Sequence, residues 1–227
     1  MSFHDLLMQN YIASWDKQVT FANWLKEHGN PNWGFDMGDG QLTFGSILAL
    51  DSQLLGTEST SSQTWLWAWA NKQSNIPPNL LEAAEELRAY GEQQHIHELM
   101  DAQLSLDETI HGHHICVVAS ALLDADFYYR GPYDGGALFL LVKDERCPTR
   151  VVNTPEHIVT VITEFAASVQ TDNLRLLVTH YLQGCGLTIS QVDEVLTGKF
   201  ADGSWVDVIF NTHGRLGQVK ANIKPRG

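Results

Sequence analysis

The sequence predicts an α+β protein in which mainly antiparallel sheet, built from hairpins, packs against about five helices. Helix-like and hairpin-like segments occur in blocks along the 227 residues, whereas a parallel sheet requires regular alternation of strand and helix. Asp-Gly and His-Gly pairs also separate several strand-like segments, and turns of that kind join antiparallel neighbours.

The first element is an amphipathic helix that runs to about Lys26. Large side chains recur at every fourth position and form one stripe: Phe3, Leu7, Tyr11, Trp15 and Val19. Residues 29–31 end the helix, and short strands occupy residues 33–71, where Asp39 and Gly40 indicate a hairpin turn.

Two helices and a second hairpin follow. Pro77 and Pro78 start one helix, because the first turn tolerates proline, and Asp107 caps another that reaches about Leu123. Residues 127–130 and 137–142 are predicted strands on either side of a glycine-rich turn.

The C-terminal part predicts two further helices and a three-stranded meander. Thr154 and Pro155 give one helix its cap and first residue, and Asp172 opens the next. The strands are predicted over residues 196–200, 205–211 and 216–223, with Asp202-Gly203 at a turn. Because no long linker interrupts the chain, residues 1–227 are expected to form a single compact domain. The alternative is two intimate subdomains with a boundary near residue 105.

Charge and cysteine usage restrict the function classes. With 27 acidic and 14 basic residues, the net charge of −13 disfavours nucleic acid and anionic membrane surfaces as partners. Cys116, Cys147 and Cys185 are widely separated and are predicted to be free thiols. No signal-peptide pattern or membrane-length apolar stretch is present, so the expected location is the cytoplasm. The expected partner is a basic protein, and a homodimer is the alternative.

The most distinctive segment is residues 64–71, in which tryptophan alternates with smaller residues. On a strand, Trp65, Trp67 and Trp69 would share one face and either form core or line a pocket. Large aromatic residues are usually buried, which favours the core. Under the pocket hypothesis, the indoles reach a cleft shared with the second hairpin turn. The candidate ligand-binding residues are then Trp65, Trp67, Trp69, Asn71, Tyr129, Arg130, Tyr133 and Asp134.

This segment resembles a bacterial family of unknown function that is marked by a WLWAWAN strand. The resemblance extends to an LRAYGE stretch at residues 87–92 and to YRGPYDGGA at residues 129–137. It covers roughly residues 15–142. It implies a family fold and identifies no activity, cofactor or catalytic residue.

Five histidines fall close together in the middle of the chain: His95, His97, His111, His113 and His114. A zinc site with Glu98 or Asp107 is the alternative to solvated histidines on a helix, but the spacing matches no regular zinc motif. We therefore expect no bound metal and no cofactor.

No nucleophile motif, metal motif or cofactor fingerprint occurs in the chain. The sequence therefore favours a non-catalytic binding or interaction protein of accessory or immunity type. An enzyme or small-molecule binder that uses the aromatic pocket is the alternative.

Overall fold

A computed structural model describes residues 1–224 of the chain. The chain divides into two compact units. Unit 1 comprises residues 1–7 and 17–150, and unit 2 comprises residues 8–16 together with the chain from residue 151 onward. Residue 105, the expected position of a subdomain boundary, lies inside unit 1, because the strand that contains it pairs with the strand at residues 64–67.

The described residues form helices and short strands that alternate in blocks. The α-helices are α1 (Phe3–Glu27), α2 (Glu82–Gln94), α3 (His97–Met100), α4 (Gly112–Leu122), α5 (Pro155–Ser168) and α6 (Leu174–Gly184). The strands are β1 (Trp33–Asp36), β2 (Gln41–Phe44), β3 (Leu48–Ser59), β4 (Thr64–Trp67), β5 (Gln103–Ser105), β6 (Phe127–Tyr133), β7 (Gly136–Val142), β8 (Thr188–Val192), β9 (Val195–Lys199), β10 (Trp205–Phe210) and β11 (Leu216–Asn222). Every strand pair within residues 1–224 is antiparallel. The predicted α+β class with mainly antiparallel sheet is confirmed.

The long strand β3 organises the seven-stranded sheet of unit 1. It pairs with β2 at one end, with β4 at the other and with β7 along most of its length, and β6 pairs with β7. Gly56 allows β3 to approach β4 closely. A Cβ atom at this position would lie 2.6 Å from the Leu66 carbonyl oxygen and 2.7 Å from the Trp65 ring, so a larger residue would push the strands apart.

Both predicted Asp-Gly turns connect antiparallel strands. Residues 37–40 join β1 to β2, and residues 200–204 join β9 to β10. Gly40 and Gly203 adopt φ values of +77° and +84°, whereas φ is not positive at Asp39 or Asp202. The two aspartates instead accept a backbone N–H two residues ahead, which gives longer connections than a two-residue turn.

Some predicted boundaries were wrong for identifiable reasons. Asp107 does not cap α4, because its Oδ1 closes a local turn by accepting the N–H groups of Thr109 and Ile110. Strand β6 continues through Pro132 to Tyr133; among residues 1–224 it pairs with β7 alone, and such an edge strand tolerates proline. No pattern in the sequence indicated β8, because its side chains are mostly exposed and show no apolar alternation.

The tryptophan segment is not a single strand. β4 ends at Trp67, and a 3₁₀ helix over Ala68–Ala70 carries Trp69, so the expectation of three indoles on one strand face was wrong. Trp65 and Trp67 are fully buried, with their rings 5.4 Å apart in a T-shaped arrangement, and Trp69 is 8% exposed. The favoured interpretation of the indoles as core is confirmed.

Unit 2 has its own hydrophobic core, formed by residues 8–16 of α1, by α5 and α6, and by one face of the sheet β11-β10-β9-β8. Asp16 is buried in this unit. It accepts hydrogen bonds from His157 Nε2 and from the Tyr181 hydroxyl, each at 3.0 Å. These donors replace the water that the carboxylate loses on burial.

Cys116, Cys147 and Cys185 are all free. Within residues 1–224, every helix is too short or too polar to cross a membrane.

The two buried indoles provide a matched pair for testing the core. Trp67 Nε1 donates to the Glu98 carbonyl oxygen at 3.1 Å, whereas Trp65 Nε1 has no partner within residues 1–224. We expect Trp67→Phe to lower the free energy of unfolding by about 1 kcal/mol more than Trp65→Phe, because it alone loses a hydrogen bond. Urea denaturation measures the free energy of unfolding of both variants. Equal losses, or a larger loss at Trp65, would contradict this assignment.

Candidate functional site

The structure does not bring the predicted aromatic site together. β4 and β6 are separated by β3 and β7 within the sheet, which places them about 14 Å apart at the usual strand spacing. Because Trp65 and Trp67 are fully buried, neither lines an open cleft. The pocket hypothesis was therefore wrong: the indoles fill space between sheet and helices.

Most other predicted ligand-binding residues have local structural roles. Asn71 accepts a backbone N–H within its own turn. Tyr129 packs edge-on against Phe44 at 5.2 Å, and burial raises the pKa of its hydroxyl. Tyr133 and Asp134 are exposed at the tip of the β6–β7 hairpin.

Arg130 lies beside a polar cluster whose centre is Glu58, on β3. Glu58 Oε1 accepts the N–H of Gly112, the first residue of α4, at 2.9 Å, and Oε2 lies 3.7 Å from Arg130 Nε. The first contact is a hydrogen bond and the second is an ion pair beyond hydrogen-bond range. The Glu58 side chain is only 17% exposed, so solvent screens these interactions weakly.

Two glycines make room for Glu58. A Cβ atom on Gly112 would overlap the Phe139 ring and lie 3.0 Å from Glu58 Cδ. A Cβ atom on Gly136 would collide with the Glu58 carbonyl oxygen. Gly112 thus leaves space for the carboxylate at the start of α4, whereas Gly136 lets β7 approach the backbone of Glu58.

Three imidazoles surround the N-terminus of α4. The His111 ring stacks on the His114 ring with centroids 3.6 Å apart. His114 Nδ1 lies 3.0 Å from the Thr109 carbonyl oxygen and donates to it, and His113 Nδ1 lies 3.0 Å from the Tyr128 hydroxyl. These contacts hold the rings in defined orientations.

The imidazoles are neutral at pH 7. Burial lowers the pKa of His114 to about 4 and also lowers the pKa of His111, and the electrostatic effect of each neighbouring imidazole acts in the same direction. Loss of hydration lowers the pKa of His113 as well, and the negative charge of Glu58 opposes this shift. A neutral cluster does not repel cations.

A cleft of about 530 Å³ opens beside this cluster. It is lined by Glu58, Ser59, Thr60, Gln63, Leu106, Asp107, Glu108 and His111. Three carboxylates and one neutral imidazole therefore line the cleft, and its lining includes no lysine or arginine among residues 1–224. The Arg130 guanidinium offsets part of this charge through Glu58.

Asp107 is fixed through one oxygen, as Glu58 is. Its Oδ1 accepts the Thr109 hydroxyl at 2.6 Å and the N–H groups of Thr109 and Ile110 at 2.7 and 2.9 Å. These hydrogen bonds lower the pKa of Asp107, so the carboxylate is ionised at neutral pH. These three hydrogen bonds leave its second oxygen, Oδ2, available as an acceptor, and Asp107 lines the cleft.

The chemistry open to the cluster depends on its thiol, its carboxylates and its imidazoles. Cys116 is fully buried on α4, and burial raises the pKa of its thiol well above the ordinary value, so it is not a thiolate nucleophile. Among residues 1–224, no three His, Cys, Asp or Glu side chains converge in a way that could hold a metal ion. The cluster can accept hydrogen bonds and balance positive charge.

Residues 4–145 match the model of a family of unknown function, DUF6882. The chain belongs to the DUF6882 family. The matched segment spans Glu58, α4 and the cleft, whereas the chain from residue 151 onward lies outside it. The expected membership of a family of unknown function is confirmed. Comparison of the chain with curated proteins and with solved structures finds no match.

Sequence reasoning identified the histidines of this DUF6882 chain but not the carboxylate that organises them. Gly112 between His111 and His113 was a visible signal for a tight helix start. No sequence signal marked Glu58, because it lies 54 residues from Gly112 among serines and threonines. The two residues come into contact only when β3 and α4 pack.

The lowered pKa of His114 gives a pH dependence of stability. Between pH 6.5 and about 4, the unfolded chain binds a proton that the folded imidazole does not, so the free energy of unfolding falls as the pH falls. His114→Asn keeps a donor for the Thr109 carbonyl but removes this titration. We expect it to abolish a pH-dependent loss on the order of 2 to 3 kcal/mol across that range.

The free energy of unfolding, measured by urea denaturation at several pH values, checks this expectation. His97→Asn is the control, because the His97 side chain is 78% exposed and should contribute little. A wild-type pH slope in His114→Asn would show that His114 titrates normally in the folded chain.

Proposed function

We propose that this DUF6882 chain is a non-catalytic cytoplasmic binding protein of bacterial origin, of accessory or immunity type. Its cleft beside Glu58 would receive a basic side chain of a protein partner. The observation that carries the proposal is the composition of the cleft: three carboxylates and a neutral imidazole line it, and no described residue adds a cationic side chain. A buried or half-buried carboxylate gains most from a partner that brings the opposite charge.

A second acidic cleft in unit 1 serves as a comparison. It measures about 470 Å³ and is lined by Asp51, Glu82, Glu86 and Asp124 together with Lys143. There, Lys143 lies 3.9 Å from Asp124, and Arg146 lies 2.9 Å from Asp51. Two of the four carboxylates of that cleft thus face cations of the chain itself, whereas among the described residues only Glu58 of the three carboxylates at the other cleft does, through Arg130 at 3.7 Å. This difference supports the cleft beside Glu58 as the one that receives a partner.

The distribution of charge supports a basic partner. Unit 1 has 19 acidic and 8 basic residues, and these account for 11 of the 13 excess negative charges in the chain. Such a field attracts a basic protein and accelerates its association. A second copy of the chain would meet repulsion at this surface, so a homodimer through the cleft is disfavoured.

The fixed hydrogen bonds favour a non-catalytic role. Glu58 Oε1 is committed to Gly112, and His113 and His114 are committed to Tyr128 and Thr109. A general base must be free to take and release a proton at a substrate.

The three free cysteines support a reducing compartment, consistent with the cytoplasm.

A labelled peptide of alternating basic and glycine residues tests the proposal by fluorescence anisotropy. We expect the triple variant Glu58→Gln, Asp107→Asn, Glu108→Gln to bind about tenfold more weakly than the wild type, because it loses three carboxylates at the cleft. The amide replacements keep an acceptor oxygen for Gly112 and for the 107–110 turn, so the fold should persist.

The control is a variant with the same change of net charge on α2: Glu82→Gln, Glu85→Gln and Glu86→Gln. All three side chains are exposed. We expect this variant to bind the peptide within about threefold of the wild type. If the two triple variants bound the peptide equally weakly, the loss of affinity would follow overall charge alone, which would contradict a role for the cleft.

A further inference from the structure

We infer that the cleft beside Glu58 selects a guanidinium over an ammonium group, so that the basic side chain it receives is an arginine. This inference rests on the proposed function and narrows it to one chemical class. It comes from the combination of a neutral aromatic ring with carboxylates that each keep one oxygen available.

The aromatic part of the site is His111. Its ring is only partly buried, lines the cleft and is held by the stack on His114 at 3.6 Å. The ring nitrogens of His111 make no hydrogen bond within residues 1–224. A guanidinium is planar and weakly hydrated and packs its face on such a ring, whereas an ammonium keeps its water. Unit 1 already contains a packing of this type, since Arg88 Cζ lies 4.5 Å from the centre of the Trp69 ring.

The carboxylate part of the site is fixed in advance. Glu58 is anchored through Oε1 by Gly112, and Asp107 is anchored through Oδ1 by its own turn. Within residues 1–224, no donor reaches Glu58 Oε2 at hydrogen-bond distance, since Arg130 Nε stops at 3.7 Å. Both carboxylates line the same cleft. A guanidinium has five N–H donors in a fixed plane and can serve such acceptors while its face stays on a ring.

The neutrality of His111 is a condition for this selectivity. A protonated imidazole would repel the guanidinium, and the surrounding groups decide its state. His113 disfavours the proton on His111, Glu58 favours it, and burial outweighs Glu58. Asp107 and Glu108 also line the cleft with His111.

Two ligands with the same backbone and blocking groups, one with a guanidinium and one with an ammonium group, test the inference on the full chain. N-acetyl-arginine amide and N-acetyl-lysine amide are each titrated to tens of millimolar while the imidazole resonances of the protein are followed by NMR. The resonance of His111 is identified as the one that is missing from the spectrum of His111→Asn. We expect the arginine amide to bind the wild type about fivefold more tightly and to shift the His111 resonance.

The variant His111→Asn separates the contribution of the ring. Asparagine is a favourable residue at the N-cap position that His111 occupies, so α4 should be retained. We expect the preference for arginine to fall below about twofold in this variant, and to stay at the wild-type value in the control His97→Asn.

The outcomes distinguish this inference from the proposed function. If both amides bind equally and both weaken in Glu58→Gln, selection of a guanidinium is wrong while the basic-partner proposal stands. An arginine preference that persists in His111→Asn also overturns the role of the ring. If neither amide perturbs any imidazole at these concentrations, both the inference and the cleft proposal fail.

Discussion

The hydrogen bond from the Gly112 N–H to Glu58 Oε1 is the contact on which the organisation of the candidate site depends. It joins the start of α4 to the central strand β3 and places a negative charge where a helix N-terminus stabilises it. Gly112 and Gly136 are glycines because any side chain there would displace Glu58 or Phe139. One carboxylate therefore links the first residue of α4, between His111 and His113, to the wall of the cleft.

Charge balance around this carboxylate underlies the proposal that the cleft receives a cation. Arg130 offsets Glu58 from one side without a hydrogen bond, and the neighbouring imidazoles stay neutral because burial outweighs the attraction of Glu58. The cleft thus keeps net negative charge, and the largely buried Glu58 interacts more strongly with a cation than the exposed Asp107 and Glu108 do. Asp107 adds to this charge, and its own turn holds it in place.

Local patterns in the sequence predicted much of the fold. The turns at Gly40 and Gly203 and the helix start at Thr154 and Pro155 depend on neighbouring residues alone, and each was found where expected. The candidate site could not be derived in this way. Trp65 and Trp67 drew attention by their spacing but are core, whereas Glu58 matters through a partner 54 residues away. Contacts of that separation arise from sheet topology, which periodicity does not encode.

The exchange rate of the Gly112 amide hydrogen tests the central role of Glu58 most directly. A first-turn amide has no acceptor within its own helix, so any protection of Gly112 must come from the carboxylate. In Glu58→Ala we expect Gly112 to exchange at least about tenfold faster than in the wild type, while Glu58→Gln, which retains an acceptor oxygen, stays within about threefold. Wild-type exchange at Gly112 in Glu58→Ala would contradict this role, because it would show that α4 is held in place without Glu58.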